Sequence, residues 1–207
     1  MTYIHPTALV ETDNIGDDAY IGPYCYISNR VILGKNCKLV GFASIGMRGE
    51  HPHNPEDQMG IINIENDVEI REFVTISAPI FGPETKVGAH SYLMTKAHVG
   101  HDAFLGPYSV LSSCCIIGGH TLSGKYCYFG LNCTTHQRSE IGDFCMIGAN
   151  AFFKGNSPDG IIWGGVPATP LKVNTIGLDR HASLKEKNAI IKSASAFLRV
   201  QGIEELN

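Results

Sequence analysis

The sequence predicts an all-β fold: a parallel β-helix closed by a short C-terminal α-helical cap. An apolar or small residue recurs at every sixth position, and the fifth residue of each six is also small. A six-residue period is typical of β-helices built from hexapeptide repeats. The first series is Ile15, Ile21, Ile27, Leu33, Leu39, Ile45, Ile64, Ile70, Ile76, Val87, Leu93, Val99, Leu105, Leu111, Ile117, Ser123, Phe129, Thr135, Ile141, Ile147 and Phe153. The second series is Ala19, Cys25, Val31, Cys37, Ala43, Ser91, Ala97, Ala103, Ser109, Cys115, Thr121, Cys127, Cys133, Ser139, Cys145 and Ala151.

Two interruptions divide the repeat, which makes about seven turns in all if three hexads form one turn. Residues 47–63 and 77–86 are rich in Gly, Pro and charge, so we expect both segments to be loops outside the coil. The β-helix is therefore expected to occupy residues 1–155. Functional groups must lie on its outside.

Residues 156–207 form an expected extension with one helix from about Ser183 to Val200. Ser183 is a candidate N-cap, and Glu186 stands at the capping-box position. An apolar stripe of helical spacing follows, consisting of Leu184, Ile190, Ile191, Ala194, Phe197 and Leu198. We expect this helix to cover the open end of the coil.

Composition favours one cytoplasmic domain with its cap. Hydrophobic residues make up 43% and charged residues 17% of the chain. No apolar run approaches the ~20 residues of a membrane span, and the N-terminus lacks a leader pattern. The net charge of −4 argues against nucleic acid as a partner.

The cysteines predict packing rather than chemistry. Six of the seven occupy the small inward slot of a hexad, and only Cys114 falls outside it. A buried thiol behaves as a small hydrophobe, and no Cys-x-x-Cys pair indicates zinc.

The histidines indicate a functional site. His98 and His101 stand in KAHVGHD, His120 in GGH and His136 in THQR, at positions expected to face outward. If three hexads make a turn, residues eighteen apart stack, so His101 is aligned with Gly119 and Gln137. Histidines clustered over three turns favour a catalytic site more than a single surface histidine does.

Acyl transfer from a thioester to a hydroxyl or an amine is the chemistry that this cluster suggests. His101 is the candidate general base. Asp102 could orient its ring, although neighbouring strand residues point to opposite faces, so contact requires a turn. Gly119 could donate its N–H to the developing oxyanion.

Several segments carry a family resemblance: IHPTA (4–8), IREFVTI (70–76), LMTKAHVGHD (93–102), GGH (118–120), HQ (136–137) and VNTIGLDR (173–180). Together they resemble the UDP-N-acetylglucosamine O-acyltransferases of lipid A (lipopolysaccharide) synthesis. The resemblance implies a left-handed coil, a homotrimer with sites between subunits, a nucleotide-linked sugar acceptor and an acyl-carrier-protein or coenzyme A thioester donor. It implies no bound metal or cofactor.

The resemblance also implies residue roles. His101 would be the general base with Asp102 beside it, and Gly119 the oxyanion donor. The remaining matched positions would contact substrates; they are His98, His120, His136, Gln137, Asn174 and Arg180.

The sequence departs from that family at several positions. SAPI (77–80) replaces an HRGT-type stretch, Arg138 follows HQ, His181 replaces a second arginine, and the C-terminal region is shorter. Leu131 replaces a glycine of the acyl-binding groove. A large residue there predicts a short acyl chain.

Three alternatives stay open at this point. One is a coenzyme A-dependent N-acyltransferase acting on a nucleotide-linked amino sugar. A second is a γ-carbonic-anhydrase-like metal enzyme, whose ligand spacing fits His98 and His101 poorly. The third is a non-enzymatic scaffold.

The loop at Glu50–Gln58, with His51 and His53, is expected to act as a lid near the site.

Overall fold

The computed structural model describes residues 1–52 and 60–203. The chain forms a left-handed parallel β-helix of three sheets, followed by two helices. The expected fold class is confirmed.

Each sheet is a ladder of very short strands, one from each coil. The first sheet contains β1 (Tyr3–Ile4), β3 (Tyr20–Ile21), β6 (Lys38–Leu39), β9 (Glu69–Ile70), β12 (Tyr92–Leu93), β15 (Val110–Leu111), β18 (Tyr128–Phe129), β21 (Met146–Ile147), β24 (Ile161–Gly164) and β25 (Thr169–Val173). The second sheet contains β2 (Leu9–Val10), β4 (Tyr26–Ile27), β7 (Ser44–Met47), β10 (Thr75–Ser77), β13 (His98–Val99), β16 (Ile116–Ile117), β19 (Thr134–Thr135) and β22 (Phe152–Phe153). The third sheet contains β5 (Val31–Leu33), β8 (Ile61–Ile64), β11 (Glu84–Val87), β14 (Phe104–Leu105), β17 (Leu122–Ser123), β20 (Glu140–Ile141) and β23 (Asn156–Ser157).

The hexad pattern has a direct structural cause. Leu93, Val99 and Leu105 end consecutive strands and point into the coil, where all three are fully buried. The small residue of each hexad, such as Ala97 or Ala103, is also buried just after a corner. Both inward series are thereby confirmed as core.

At the corners the backbone adopts a left-handed conformation that the residue types do not predict. The residue before the small one has a positive φ, between 53° and 62°, although it is Asp, Tyr, Phe, Asn, His, Lys, Cys or Arg rather than glycine. Such φ values are uncommon outside glycine. The regular ladder of backbone hydrogen bonds holds them in place.

The buried cysteines behave as predicted. Cys25, Cys37, Cys115, Cys127, Cys133 and Cys145 are buried and unpaired, while Cys114 is exposed. Burial raises the pKa of the Cys37 and Cys145 thiols to about 11. Neutral thiols are poor nucleophiles, which fits their packing role.

The coil extends beyond the segment bounded by the hexad count. Strands β1 and β2 precede Ile15, and β23 and β24 follow Phe153, each paired in parallel with the adjacent coil. The predicted boundary at residue 155 therefore falls inside the coil of the structure. The motif is weaker at both ends, where Ile4 and Val10 are partly open to solvent and glycine interrupts the last coil.

The two predicted loops are shorter than expected. Met47 and Ile61–Asn63 belong to β7 and β8, and Ser77 and Glu84–Lys86 belong to β10 and β11. Residues 78–83, here called the strap, fold back over the coil, and Ala78 and Ile80 are buried. The strap therefore packs against the coil and does not project into solvent as a loop.

The C-terminal region has two helices where one was expected. Helix α1 (Thr175–His181) is capped by Asn174, and α2 (Leu184–Val200) is capped by Ser183, whose hydroxyl accepts from the Glu186 N–H at 3.3 Å. The Glu186 carboxylate accepts from Lys125 Nζ on the coil at 2.8 Å and also from the backbone N–H of Ser183, which is the reciprocal contact of the predicted capping box. Ile190, Ala194 and Leu198 pack as predicted.

The antiparallel strand β25 links the last coil to this cap. The Trp163 ring contacts Phe153 in the coil and Phe197 in α2. None of the described helices has the length and apolar character needed to cross a membrane.

Candidate active site

His101 and Asp102 form a hydrogen-bonded pair at the corner after β13. The turn gives Asp102 a φ of 59°, which brings its carboxylate to the same side as the imidazole. His101 Nδ1 lies 2.8 Å from Asp102 Oδ2. Because an ionised carboxylate only accepts, Nδ1 carries a proton, and in the neutral form of the ring Nε2 is the nitrogen with the lone pair.

The strap holds Asp102 from its other side. The backbone N–H groups of Ile80, Phe81 and Gly82 donate to its carboxylate at 3.0, 3.2 and 2.5 Å. Burial raises the pKa of Asp102, but the hydrogen bonds from His101 and these three amides outweigh it, and the pKa is lowered from its usual value. Asp102 therefore stays ionised at neutral pH.

His101 Nε2 lies against Gly119 on the next coil. A Cβ at Gly119 would lie 2.6 Å from Nε2, so any side chain there would displace the ring. A Cβ at Gly100 would lie 2.7 Å from the Gly119 nitrogen, so the glycine at 100 also leaves that nitrogen accessible. Two glycines thus open a path to one N–H beside the imidazole.

The Gly119 N–H donates to no acceptor within the described part of the chain. Elsewhere the fold uses the same hexad position to bind oxygen: Lys125 N–H donates to Asp143 Oδ1 and Ala89 N–H to Glu65 Oε2, both at 2.9 Å. This N–H therefore points out of the coil towards the place where a negatively charged oxygen can sit. At Gly119 none of the described residues supplies such an oxygen.

A cleft of about 580 Å³ opens in front of His101 and Gly119. Its lining also includes Thr75, Ser77, Lys96, His98, Glu50, Asn132 and Gln137. His98 Nδ1 lies 2.7 Å from Thr75 Oγ1, and burial lowers the pKa of His98 from its usual value. The cleft thus presents polar groups around the imidazole, of which Glu50 and Lys96 carry charge.

His120 lies behind the pair rather than in the cleft. Its Nε2 is 3.7 Å from Asp102 Oδ2 and is buried without a hydrogen-bond partner. The Phe81 ring of the strap stacks on the His120 ring at 5.7 Å between centroids. Burial, chiefly, lowers the pKa of His120 despite the nearby carboxylate, so this ring is neutral at neutral pH.

Four further predicted site residues lie outside the cleft. His136 Nδ1 contacts the Gln137 carbonyl, and Leu131 is an exposed corner residue next to Asn132. Asn174 and Arg180 line a separate cavity of about 480 Å³ between α1 and the first sheet. One chain therefore does not bring Asn174 or Arg180 to His101.

Asn174 has a clear local role. Its side chain caps α1 by accepting from the Gly177 N–H and donates to the Phe144 carbonyl at 2.8 Å. Both functions of the amide are used within the chain.

One group of three possible metal ligands is found among the described residues: His101, Asp102 and His120. His98 is not part of it, so the described residues do not assemble the three-histidine set of a γ-carbonic-anhydrase-like site. The Asp102 oxygens already accept from His101 and from three amides, an arrangement that fits proton transfer better than metal ligation.

The expected lid lies partly outside the described residues, because 53–59, including His53, are not described. The first residues of the lid do reach the site: Glu50 lines the cleft, and the centroid of the His51 ring lies 6.2 Å from that of the His101 ring.

Sequence reasoning missed the strap amides and Thr85, whose hydroxyl accepts from the Asp102 N–H at 2.8 Å. Backbone amides carry no residue-type signal. The break in the hexad pattern before Val87 was the one available indication.

Comparisons with known proteins agree with this picture. Residues 14–46 match the family model "Bacterial transferase hexapeptide (six repeats)". An acyl-(acyl-carrier-protein)–UDP-N-acetylglucosamine O-acyltransferase of Rickettsia canadensis is 33% identical over 120 residues, 48% of this chain and 45% of that protein. The enzyme of the same name from Saccharophagus degradans is 30% identical over 127 residues, 51% and 49% of the two chains. The chain spans about half the length of the curated relatives it matches.

Solved structures extend the likeness over the whole chain. The LpxA structure from Acinetobacter baumannii is 26% identical, has a TM-score of 0.79, and is matched over 94% of this chain and 83% of its own. The Francisella novicida UDP-N-acetylglucosamine acyltransferase is 22% identical with a TM-score of 0.76, over 97% and 87% of the two chains, which supports the fold alone. This chain contains hexapeptide repeats and resembles the UDP-N-acetylglucosamine O-acyltransferases, in sequence over about half its length and in fold over nearly all of it.

Proposed function

We propose that this protein is an acyltransferase that moves an acyl group from a thioester to a nucleotide-linked amino sugar, with His101 as general base. The observation that carries the proposal is the arrangement of three groups on one cleft. Asp102 orients His101, Nε2 of His101 is left as the base, and the Gly119 N–H beside it has no acceptor among the described residues.

The reaction follows from these positions. The acceptor hydroxyl attacks the thioester carbonyl while His101 Nε2 takes its proton. The carbonyl oxygen becomes an oxyanion and accepts a hydrogen bond from Gly119 N–H. Collapse of the tetrahedral species breaks the carbon–sulfur bond, and the imidazolium returns the proton to the leaving thiolate.

Asp102 is a positioning residue in this scheme. Its carboxylate holds the ring with Nδ1 protonated and stabilises the imidazolium that forms. The strap amides keep the carboxylate ionised and fixed, so that it does not take the proton itself. His98, Gln137 and Thr75 are placed to contact the acceptor.

The substrates follow from the relatives. The curated relatives are named for an acyl-carrier-protein donor and UDP-N-acetylglucosamine as acceptor, and we carry both to this chain as the proposed co-substrates. Coenzyme A is the alternative donor, and neither donor is a resident cofactor. Leu131 is exposed at the corner beside the cleft residue Asn132. We propose that it lines the acyl groove of a homotrimer, where its bulk would favour a short acyl chain.

The test is thiol release from acyl-carrier-protein and coenzyme A thioesters of several chain lengths, with UDP-N-acetylglucosamine and related nucleotide sugars as acceptors. We expect wild-type release to depend on one sugar. His101→Ala should lower kcat by about 10²–10⁴-fold, the range of general base catalysis.

His90→Ala is the matched control, because His90 lies at another corner, stacked on Tyr108. It should leave kcat unchanged. Mild alkali on the product separates an ester, which is lost, from an amide, which survives. Sugar-dependent release that persists in His101→Ala would contradict the proposal.

A further inference from the structure

A second polar pocket lies along the same edge of the second sheet, on the N-terminal side of the His101 cleft. It has a volume of about 320 Å³ and is lined by Tyr26, Ser28, Asn29, Arg30, Gly46, Arg48 and Ala78. Tyr26 pairs with Ser44, Ser44 with Thr75 and Thr75 with His98. Three strand spacings of about 4.8 Å therefore separate the coil of Ser28 and Arg30 from that of His101, about 14 Å along the axis.

Two polar atoms of residues that line this pocket are buried without a hydrogen-bond partner among the described residues: Arg30 Nη1 and Ser28 Oγ. Leaving a buried donor unpaired costs about 1–3 kcal/mol, more when it is charged. Because Arg30 and Ser28 line the same cavity, an acceptor bound there would satisfy both donors. Arg48 also lines the pocket and has contacts of its own, so the argument rests on Arg30 and Ser28.

The backbone is adapted to keep this pocket open. Ile45 pairs with Ile76 and Met47 with Ser77, which leaves Gly46 as the extra residue of a β-bulge. Gly46 has a φ of 93°, and a Cβ there would overlap Ser28 Oγ. Bulges that re-aim the chain are frequent beside functional sites.

We propose that this pocket binds a phosphoryl group of a substrate. A guanidinium and a hydroxyl that both donate suit phosphate oxygens, and Arg is the usual residue for this recognition. The assignment to a substrate rests on the proposed function, in which two candidate sources carry phosphoryl groups. These are the diphosphate of the nucleotide sugar and the phosphate of the donor's phosphopantetheine arm, and about 14 Å is within reach of such extended molecules.

The site itself is tested by titrating inorganic pyrophosphate into the purified full chain by calorimetry. We expect binding to the wild type and at least about tenfold weaker binding, near 1.4 kcal/mol, to Arg30→Gln. Ser28→Ala removes the second donor with little change in packing and should weaken binding less. Arg199→Gln, an arginine near the end of α2, is the matched control and should bind like the wild type.

Circular dichroism of each variant precedes the titration. If Arg30→Gln does not fold, Ser28→Ala and Arg30→Lys test the site instead. Lysine keeps the positive charge but lacks the planar guanidinium that donates two parallel hydrogen bonds. Equal pyrophosphate binding by wild type and folded variants, or none by the wild type, would overturn the site.

Steady-state kinetics then identify the source. A rise in KM for the nucleotide sugar with little change in kcat supports the diphosphate, and a rise in KM for the thioester supports the phosphopantetheine arm. Unchanged KM values in an active Arg30→Gln would overturn the assignment to a substrate. A wild type without any acyl transfer would refute the proposed function instead, while the pyrophosphate titration would still decide the site.

Discussion

At the scale of single residues, Gly119 shows how the coil leaves room for chemistry. Other glycines, such as Gly22 and Gly106, are required because the backbone of the next coil comes too close for a Cβ. At Gly119 the nearest atoms belong to the imidazole of His101 instead. The missing side chain there serves the site rather than the stacking of coils.

Gly119→Ala is therefore expected to damage activity more than folding. The added methyl group would force His101 Nε2 away from the cleft and cover the oxyanion N–H. Loss of one oxyanion donor alone costs about 10²–10³ in kcat. Thiol-release kinetics and a urea unfolding curve on the same preparation measure both effects.

Gly41→Ala is the matched control, because Gly41 occupies the same hexad position and its Cβ would meet only Pro23, at 3.2 Å. It should keep nearly full kcat. Comparable loss of kcat in both variants would mean that Gly119 acts through coil stacking.

At the scale of elements, the strap is joined to the coil through one carboxylate. The N–H groups of Ile80, Phe81 and Gly82 all donate to Asp102, and Phe81 covers His120. Thr85 accepts from the Asp102 N–H, so the segment entering β11 is held at the same point. The strap and the His101–Asp102 pair are thus held together through hydrogen bonds to Asp102.

Asp102→Asn is expected to lower the free energy of unfolding by about 1–3 kcal/mol at neutral pH, because an amide NH₂ would face N–H donors. The lowered pKa of Asp102 gives the effect a defined pH window. Its stabilisation is complete above the unfolded value of about 3.9 and is lost as pH falls through the lower folded pKa. The difference between wild type and variant should therefore shrink in that acid window.

Urea unfolding between about pH 2.5 and 7 measures this difference. Asp13→Asn is the control, since Asp13 is exposed and its side chain makes no hydrogen bond within the described residues. It should follow the wild-type profile. A difference for Asp102→Asn that stays constant down to the lowest pH would contradict the role of the carboxylate.

At the scale of the whole molecule, the predicted substrate residues divide between two faces. The His101 cleft lies at the edge of the second sheet, whereas Arg180 lines the cavity between α1 and the first sheet. If Arg180 contacts the same substrate, a second subunit must supply it. This geometry supports the proposed trimer, which would have three times the chain mass of 22.4 kDa.

Subunit complementation tests that assembly. His101→Ala and Arg180→Ala should each be inactive alone. Co-expressed in equal amounts, they should recover about a quarter of wild-type activity, because a random trimer then pairs intact His101 with intact Arg180 at about one interface in four.

Light scattering on the mixed protein fixes the oligomer and serves as the control. A trimer that recovers nothing would place both residues in one subunit's site, and a monomer would remove the shared site altogether.

The sequence by itself determined that the chain forms a coil, which residues make up its core and which histidines lie on its outside. These features are local and periodic: one inward residue every sixth position, one small residue before each strand, and one N-cap before α2. Three hexads per turn is what the family resemblance implies, and with that number residues eighteen apart stack, so Gly119 is aligned with His101.

The tertiary structure decided what depends on the path of the chain between repeats. The strap folds inward because its amides satisfy the buried Asp102 carboxylate, a backbone property that side-chain types do not encode. Helix α1 is too short for a clear apolar period, and its packing turns Arg180 away from His101. The bulge at Gly46 and the unpaired donors of Arg30 and Ser28 depend on three-dimensional register, which no window of sequence contains.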